Sequence, residues 1–154
     1  MTIARFPVPP VVKAVTVRVA PAHAFELFAR DLARWWPLVQ FHTGPDPVEC
    51  AIEPRAGGRV FERAADRRET AWGTVVAYEP PHRLAFTWIV GLAAEYEQLI
   101  ELRFTPEAHG TRVELTHSGW EKLGDAAAAL RERYDRGWAT LIERCYADFA
   151  NAAT

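Results

Sequence analysis

The sequence predicts an α+β fold. One curved antiparallel sheet of about six or seven strands wraps a long C-terminal helix, and two short helices follow the first strand. Three observations predict it. An alternating β-branched run spans Val11–Val19. Short alternating runs separated by glycine and proline turns fill residues 48–117. A helical stripe then closes the chain from about Asp125 to Phe149. The strands make a single sheet's worth, so the long helix must cover the concave face.

Each element has its own justification. Val11, Val15, Val17 and Val19 share one face with Lys13, the period-two signature of a strand. Pro21 suits the first position of a helix. Phe25, Phe28, Leu32 and Trp35 or Trp36 recur at helical spacing, as one amphipathic stretch or two short helices broken near Arg30–Asp31. Pro37 stops the run, because a residue before proline is pushed out of the helical region. Phe41 to Pro47 reads as loop. Val48–Glu53 alternates, with Val48, Cys50 and Ile52 on one side and Cys50 buried. Pro54–Gly58 turns the chain, since glycine adopts positive φ at no steric cost. Arg59–Arg63 returns, and Arg67–Arg68 marks the next turn.

Thr70–Tyr78 reads as a strand, with Gly73 inside it as the sign of a bulge or a close backbone approach. Glu79–His82 leads into a strand from Arg83 to Val90, with Leu84, Phe86 and Trp88 on one face. Tyr96–Thr105 and Thr111–His117 flank Pro106–Gly110 as a hairpin. In the closing helix Leu130, Tyr134, Trp138, Leu141, Cys145 and Phe149 step by four or three into one stripe. Gly137 interrupts that helix at about 1 kcal/mol against alanine, which points to close approach of a strand or helix.

Composition bounds the function. The length of 154 residues fits one domain over 1–154, with a core at about 11–150 and an N-terminal arm at 1–10. A chain of this size buries about 70% of its unfolded surface, enough for a core without staples. The net charge of −2, from 18 basic and 20 acidic residues, argues against binding nucleic acid by phosphate neutralisation. Cys50 and Cys145 make no disulfide scaffold, and no Cys/His spacing fits a metal; neither a metal nor a cofactor is expected. No phosphate-cradling, dinucleotide-binding, nucleophile-elbow or zinc-protease motif is present. Met1–Pro10 lacks the apolar core of a signal peptide. The uncharged run Leu84–Ala94 is shorter than the roughly 20 residues a membrane span needs. A cytoplasmic protein with reduced thiols is the expectation.

The order of elements, with particular residues in them, resembles a known group. These are Val19-Ala20-Pro21 with Ala24-Phe25-Glu26-Leu27-Phe28, Trp35-Trp36, Pro54-Arg55-Ala56-Gly57-Gly58-Arg59, and Gly73-Thr74-Val75. They continue with Glu79 to Trp88, Gly110-Thr111-Arg112-Val113 through His117-Ser118-Gly119-Trp120, and Gly137-Trp138. From about Val11 to Phe149 the chain resembles the helix-grip fold of the START-like (SRPBCC) superfamily, in its branch of heat-shock-protein ATPase activator homologues. The resemblance implies a deep, largely apolar cavity between the long helix and the sheet. Members of the superfamily bind lipids, sterols, polyketides or plant hormones there, and some catalyse cyclisation or dehydration.

The aromatic content, 6 Trp, 8 Phe and 4 Tyr, supplies the candidate site. Trp35, Trp36, Phe41, Trp72, Trp88, Trp120, Tyr134 and Trp138 form a set for a flat or apolar ligand, with indole N–H groups orienting it. Within this set Trp88 and Trp138 read first as core packing, since their elements face each other, whereas Trp35, Trp36 and Trp72 fit core or cavity mouth alike. His117 continues the apolar face of Val113 and Leu115, and so reads as a ligand contact, a general acid/base or a satisfied core residue. His42, in the loop after Trp36, is placed to gate an entrance. Arg59 and Arg63 share a face with Phe61, and with Glu49 and Glu53 nearby they read as ion pairs on a solvated face.

Three functions are therefore carried forward. The first is binding of a small hydrophobic or aromatic molecule in the central cavity. The second is a cyclase or dehydratase with His117 as acid/base. The third is a co-chaperone or other interaction module. A homodimer through a sheet edge or the helix is compatible with the pattern, whereas nucleic acid and a membrane span are not.

Overall fold

The structure is a computed structural model that describes residues 8–90 and 96–153. Most of the N-terminal arm, and residues 91–94 of the uncharged run, lie outside the described residues. The strands are β1 (Val11–Val17), β2 (Pro47–Ile52), β3 (Arg59–Ala64), β4 (Glu69–Glu79), β5 (Arg83–Trp88), β6 (Gln98–Glu107) and β7 (Gly110–Ser118). They form one antiparallel sheet of seven strands in the order β1-β7-β6-β5-β4-β3-β2. The sheet is curved and the C-terminal helix packs against it, the α+β helix-grip arrangement the sequence predicts. None of the described helices is long and apolar enough to cross a membrane.

The two short helices are α1 (Pro21–Ala29) and α2 (Leu32–Trp35), broken at Arg30–Asp31. Pro21 occupies the start of α1, and Trp36 is extended (ψ 121°) ahead of Pro37. Phe25 and Phe28 are buried and pack on Phe104 of β6, with ring centroids 5.1 and 6.3 Å apart. This contact seats α1 on the sheet and brings Trp35 and Trp36 to one end of the core.

Strand boundaries move by at most two residues. β1 ends at Val17, β5 at Trp88, and β6 begins at Gln98. The β6–β7 hairpin is tighter than its proline and glycine imply: Glu107 pairs with Gly110, which leaves Ala108-His109 as the loop. Val48 is 61% exposed and leaves the face of Cys50 and Ile52. The β2–β3 register shifts between Pro47 and Glu49, so Val48 is the unpaired residue of a bulge. Cys50 is buried, and desolvation pushes its thiol up to about 12, which keeps it protonated.

β4 carries the irregularities that matter for the site. Val60 pairs with Gly73 and Phe61 with Ala71, so Trp72 is the extra residue. Gly73 permits this, since a Cβ there would lie 1.7 Å from the Thr87 carbonyl oxygen of β5.

The outer face of β2–β4 holds the expected ion pairs. Arg59 reaches Glu53 and Glu69, and Arg63 reaches Glu49 and Glu69. Both guanidiniums lie over the Phe61 ring, 4.4 and 5.4 Å from its centroid. That cover explains why Phe61 is buried on an outward face.

The C-terminal helix departs most from expectation. A 3-10 stretch (Trp120–Ala126) precedes α3 (Ala127–Trp138), which runs through a π-helical stretch (Ala139–Tyr146) into α4 (Ala147–Ala152). Its buried residues after Trp138 are Leu141, Ile142, Tyr146, Ala147 and Ala150, so Leu141 of the expected stripe is in the core while Cys145 and Phe149 are its half-buried margin. Four residues of α-helix advance about 40° beyond a full turn, so three such steps would rotate the face by about 120°. The under-wound π stretch removes that drift and keeps Ile142, Tyr146 and Ala150 on the sheet. Among the described residues no strand or other helix comes within 4 Å of the place of a Cβ on Gly137. Its neighbour is Phe41, whose Cε1 is 3.5 Å from the place of a Cβ, an ordinary contact.

Candidate functional site

Strands β4 and β5 place Trp72 and Trp88 side by side on the concave face. The helix lays Trp138 over them, and the turn after α2 brings in Trp36. Their rings close a circuit: Trp36–Trp72 at 5.0 Å, Trp72–Trp88 at 5.7 Å, Trp88–Trp138 at 5.9 Å and Trp138–Trp36 at 6.0 Å. These indoles wall a cleft of about 540 Å³ between helix and sheet. Phe41, Thr43, Val90 and Leu130 line it too, and Arg133, Tyr134, Arg136 and Gly137 face it from α3.

Of the candidates read from the sequence, Trp36, Phe41, Trp72, Trp88, Tyr134 and Trp138 meet at this cleft, together with His42. Trp35, Trp120 and His117 do not line it. Trp35 is buried against Phe28 and Tyr146, at 5.0 and 5.4 Å. Trp120 stacks on His117 at 4.4 Å.

The indole N–H groups do not face a ligand. Trp36 donates to the Phe41 carbonyl at 2.8 Å, Trp72 to Glu62 Oε1 at 2.8 Å and Trp88 to Tyr134 Oη at 3.0 Å. Trp138 donates to His117 Nδ1 at 2.9 Å, Trp35 to the Phe28 carbonyl at 3.3 Å and Trp120 to the His117 carbonyl at 2.8 Å. Each donor has the partner that a buried indole needs. The expectation that indole N–H groups orient the ligand is therefore corrected: the tryptophans that line the cleft contribute apolar ring edges and surface, not donors.

His117 is sealed inside this arrangement. Its Nδ1 accepts from Trp138, which puts the ring proton on Nε2, and Nε2 donates to Gln98 Oε1 at 2.6 Å. The side chain is wholly buried, and desolvation pushes its pKa down to about 3. The imidazole is neutral, with both nitrogens engaged. Gln98 Nε2 is buried and finds no partner among the described residues.

Glu62 is not among the candidates named from the sequence, and it organises the opposite wall. It is 2% exposed, on the inward face of β3 with Val60 and Ala64. Its carboxylate accepts from the Thr43 N–H, from Thr43 Oγ1 at 2.7 Å, from the Gly44 N–H at 3.0 Å and from Trp72 Nε1 at 2.8 Å. A Cβ on Gly44 would lie 2.9 Å from Thr70 Oγ1, so glycine lets the loop sit this deep. Burial works to raise the Glu62 pKa, but the hydrogen bonds from Thr43, Trp72 and Gly44 outweigh it and hold the carboxyl below its ordinary value. Glu62 thus fastens the loop bearing Phe41, His42 and Thr43 to the sheet. The parity of Val60, Glu62 and Ala64 is the sequence signal that marks it.

Comparison with known proteins places this architecture. Protein MLL2253 from Mesorhizobium loti superposes with a TM-score of 0.71 at 17% identity, over 94% of this chain and 98% of that one. The anthrahydroquino-gamma-pyrone synthase Txn09 is 33% identical, with a TM-score of 0.60 over 94% of this chain and 97% of that one. DynU16, described as a putative protein of the dynemicin biosynthetic locus, gives a TM-score of 0.70 at 18% identity, over 96% of this chain and 49% of its own length. No curated protein matches the sequence. The profile of the family described as Activator of Hsp90 ATPase homolog 1-like protein matches residues 18–147. With that match and the helix-grip architecture in hand, the chain belongs to the Activator of Hsp90 ATPase homolog 1-like family of the START-like superfamily.

Proposed function

We propose that this protein binds a small planar aromatic molecule in the cleft between the C-terminal helix and the sheet. The observation that carries the reading is the packed cluster of Trp36, Trp72, Trp88 and Trp138 along the wall of a cleft of about 540 Å³. With their N–H groups engaged elsewhere and their rings packed on one another, these indoles give the cleft an apolar aromatic wall suited to a flat ligand. The similarity to Txn09 supports the same class, since that protein is described as an anthrahydroquino-gamma-pyrone synthase.

The test combines native mass spectrometry of the purified chain with titration of its tryptophan fluorescence by 9,10-anthraquinone. A retained small molecule, or saturable quenching at one molecule per chain, is the expected result. A ligand-free spectrum together with only linear, collisional quenching overturns the reading.

The same 33% identity favours a second reading, an enzyme acting on such a molecule. Its acid/base groups are better sought at the cleft than at His117, whose imidazole would have to leave both Trp138 and Gln98 to act. For a co-chaperone, the large exposed apolar side chains among the described residues are Val12, Val39, Val48, Val76, Tyr96 and Leu99, spread over several elements. No observation favours that reading.

A further inference from the structure

The polar groups at the cleft can be sorted by what they still have to give. The cleft's indole N–H groups are taken, and Thr43 Oγ1 donates to Glu62. Arg136 pairs with Glu132 at 3.1 Å. His42 Nδ1 lies 2.8 Å from the Gly44 carbonyl, which makes that nitrogen a donor already in use. Gln40 adds an exposed amide that gives and accepts alike.

Two adjacent positions of α3 differ. Tyr134 Oη accepts the Trp88 N–H at 3.0 Å. A phenol oxygen engaged as an acceptor keeps its own proton to donate, and no acceptor among the described residues takes it. The ring is held edge-on to His117 at 5.0 Å and tilted on Trp120 at 5.5 Å, so the hydroxyl is fixed in place before any ligand arrives. Burial raises the phenol's pKa against the lowering effect of the Trp88 hydrogen bond, so the proton stays on through the neutral range. Beside it, Arg133 lines the cleft with no ion-pair partner among the described residues.

We propose that Tyr134 and Arg133 select aromatic ligands that carry an acidic oxygen (a carboxylate, enolate or phenolate). Tyr134 donates its hydroxyl proton to that oxygen, and Arg133 balances the charge. The inference rests on the reading that the cleft binds a planar aromatic molecule, and it names the chemistry of that molecule. An apolar ring would leave the Tyr134 proton facing it without an acceptor, and a cationic ring would meet Arg133.

The test is fluorescence titration of the full chain with 2-naphthoate, 2-naphthamide and 2-methylnaphthalene, which share a ring system and differ in one substituent. The expected result is 2-naphthoate binding at least about tenfold more tightly than 2-methylnaphthalene, with 2-naphthamide between them. In Tyr134→Phe the advantage of both oxygenated probes over 2-methylnaphthalene should fall to about twofold. In Arg133→Gln only the advantage of 2-naphthoate over 2-naphthamide should fall, and its remaining affinity should respond less to salt. Arg133 is exposed, so its variant keeps the test valid if Tyr134→Phe unfolds the chain. Equal affinity for all the probes, or a 2-naphthoate preference unchanged in both variants, overturns the inference and leaves the binding reading standing. Absence of saturable binding by every probe overturns the inference, and it overturns the binding reading as well where the mass spectrum is ligand-free and 9,10-anthraquinone also quenches only linearly.

Discussion

His117 and Glu62 are two buried strand residues that each receive an indole N–H, the first from Trp138 and the second from Trp72. The imidazole is neutral, closed on both sides, and ties the C-terminal helix to β7 and β6. The carboxylate is charged, gathers four donated hydrogen bonds, and ties a loop to β3 and β4. One device therefore makes two kinds of wall. Where the partner is a helix already held by packing, the polar group fixes a permanent surface. Where the partner is a loop whose Thr43 is exposed, the polar group is the main fastening, and that wall can be released.

The largest effect should come from removing the fixed side. His117→Ala leaves the Trp138 N–H and the whole Gln98 amide without partners and opens a cavity. A loss on the order of 3–5 kcal/mol in urea unfolding is expected. A loss below about 1 kcal/mol would show that the imidazole is not what joins helix to sheet.

Acid should separate the two regions. The folded-state pKa of His117 is depressed from 6.5 to about 3, so the unfolded chain binds the extra proton first. Its contribution is complete above pH 6.5 and is lost as pH falls toward 3. Glu62 is depressed from 4.5, so its contribution is complete above that value and is lost only as pH falls further. Stability should decline in two stages, and His117→Gln should abolish the upper one. An unchanged decline between pH 6.5 and 4.5 in that variant would assign it to other groups.

Glu62→Gln comes next, at about 2 kcal/mol, because an amide presents its own donors to a site built of donors. The sharper expectation is local. Hydrogen exchange at Thr43 and Gly44 should quicken while the amides of β6 and β7 stay protected. Equal acceleration in both places would erase the distinction between the walls. The smallest effect is Gly137→Ala. Its Cβ meets Phe41 at an ordinary 3.5 Å, so the gain in helix propensity, about 0.5–1 kcal/mol, should appear as added stability. A net loss would show that the loop cannot yield even there.

Much of this was legible along single strands. The parity of Val113, Leu115 and His117 points the imidazole inward, and Pro21 and Pro37 bound the short helices. What escaped depends on contacts distant in sequence or on a change of register. The Trp88 donor finds Tyr134, 46 positions away, so its engagement cannot be read from either neighbourhood. Val48 alternates in the sequence, yet the bulge after Pro47 turns it outward. Glu62 shares its strand with Phe61 and two arginines, whose outward pairing draws the eye from the inward parity of Val60, Glu62 and Ala64. The stripe through Cys145 and Phe149 assumes uniform winding, and nothing in the composition of residues 139–146 announces the looser turn.

That looser turn also sets where the chain tolerates a change in length. Deleting one residue anywhere in Ala127–Trp138 would rotate everything beyond it by about 100° and carry Tyr146 away from the Ala24 carbonyl, to which its hydroxyl donates at 2.8 Å. The same deletion within Ala139–Tyr146 would let the slack turn wind as ordinary α-helix, with both ends still facing the sheet. The C-terminal helix thus holds a spare residue in reserve, and related chains one residue shorter should have lost it from that stretch.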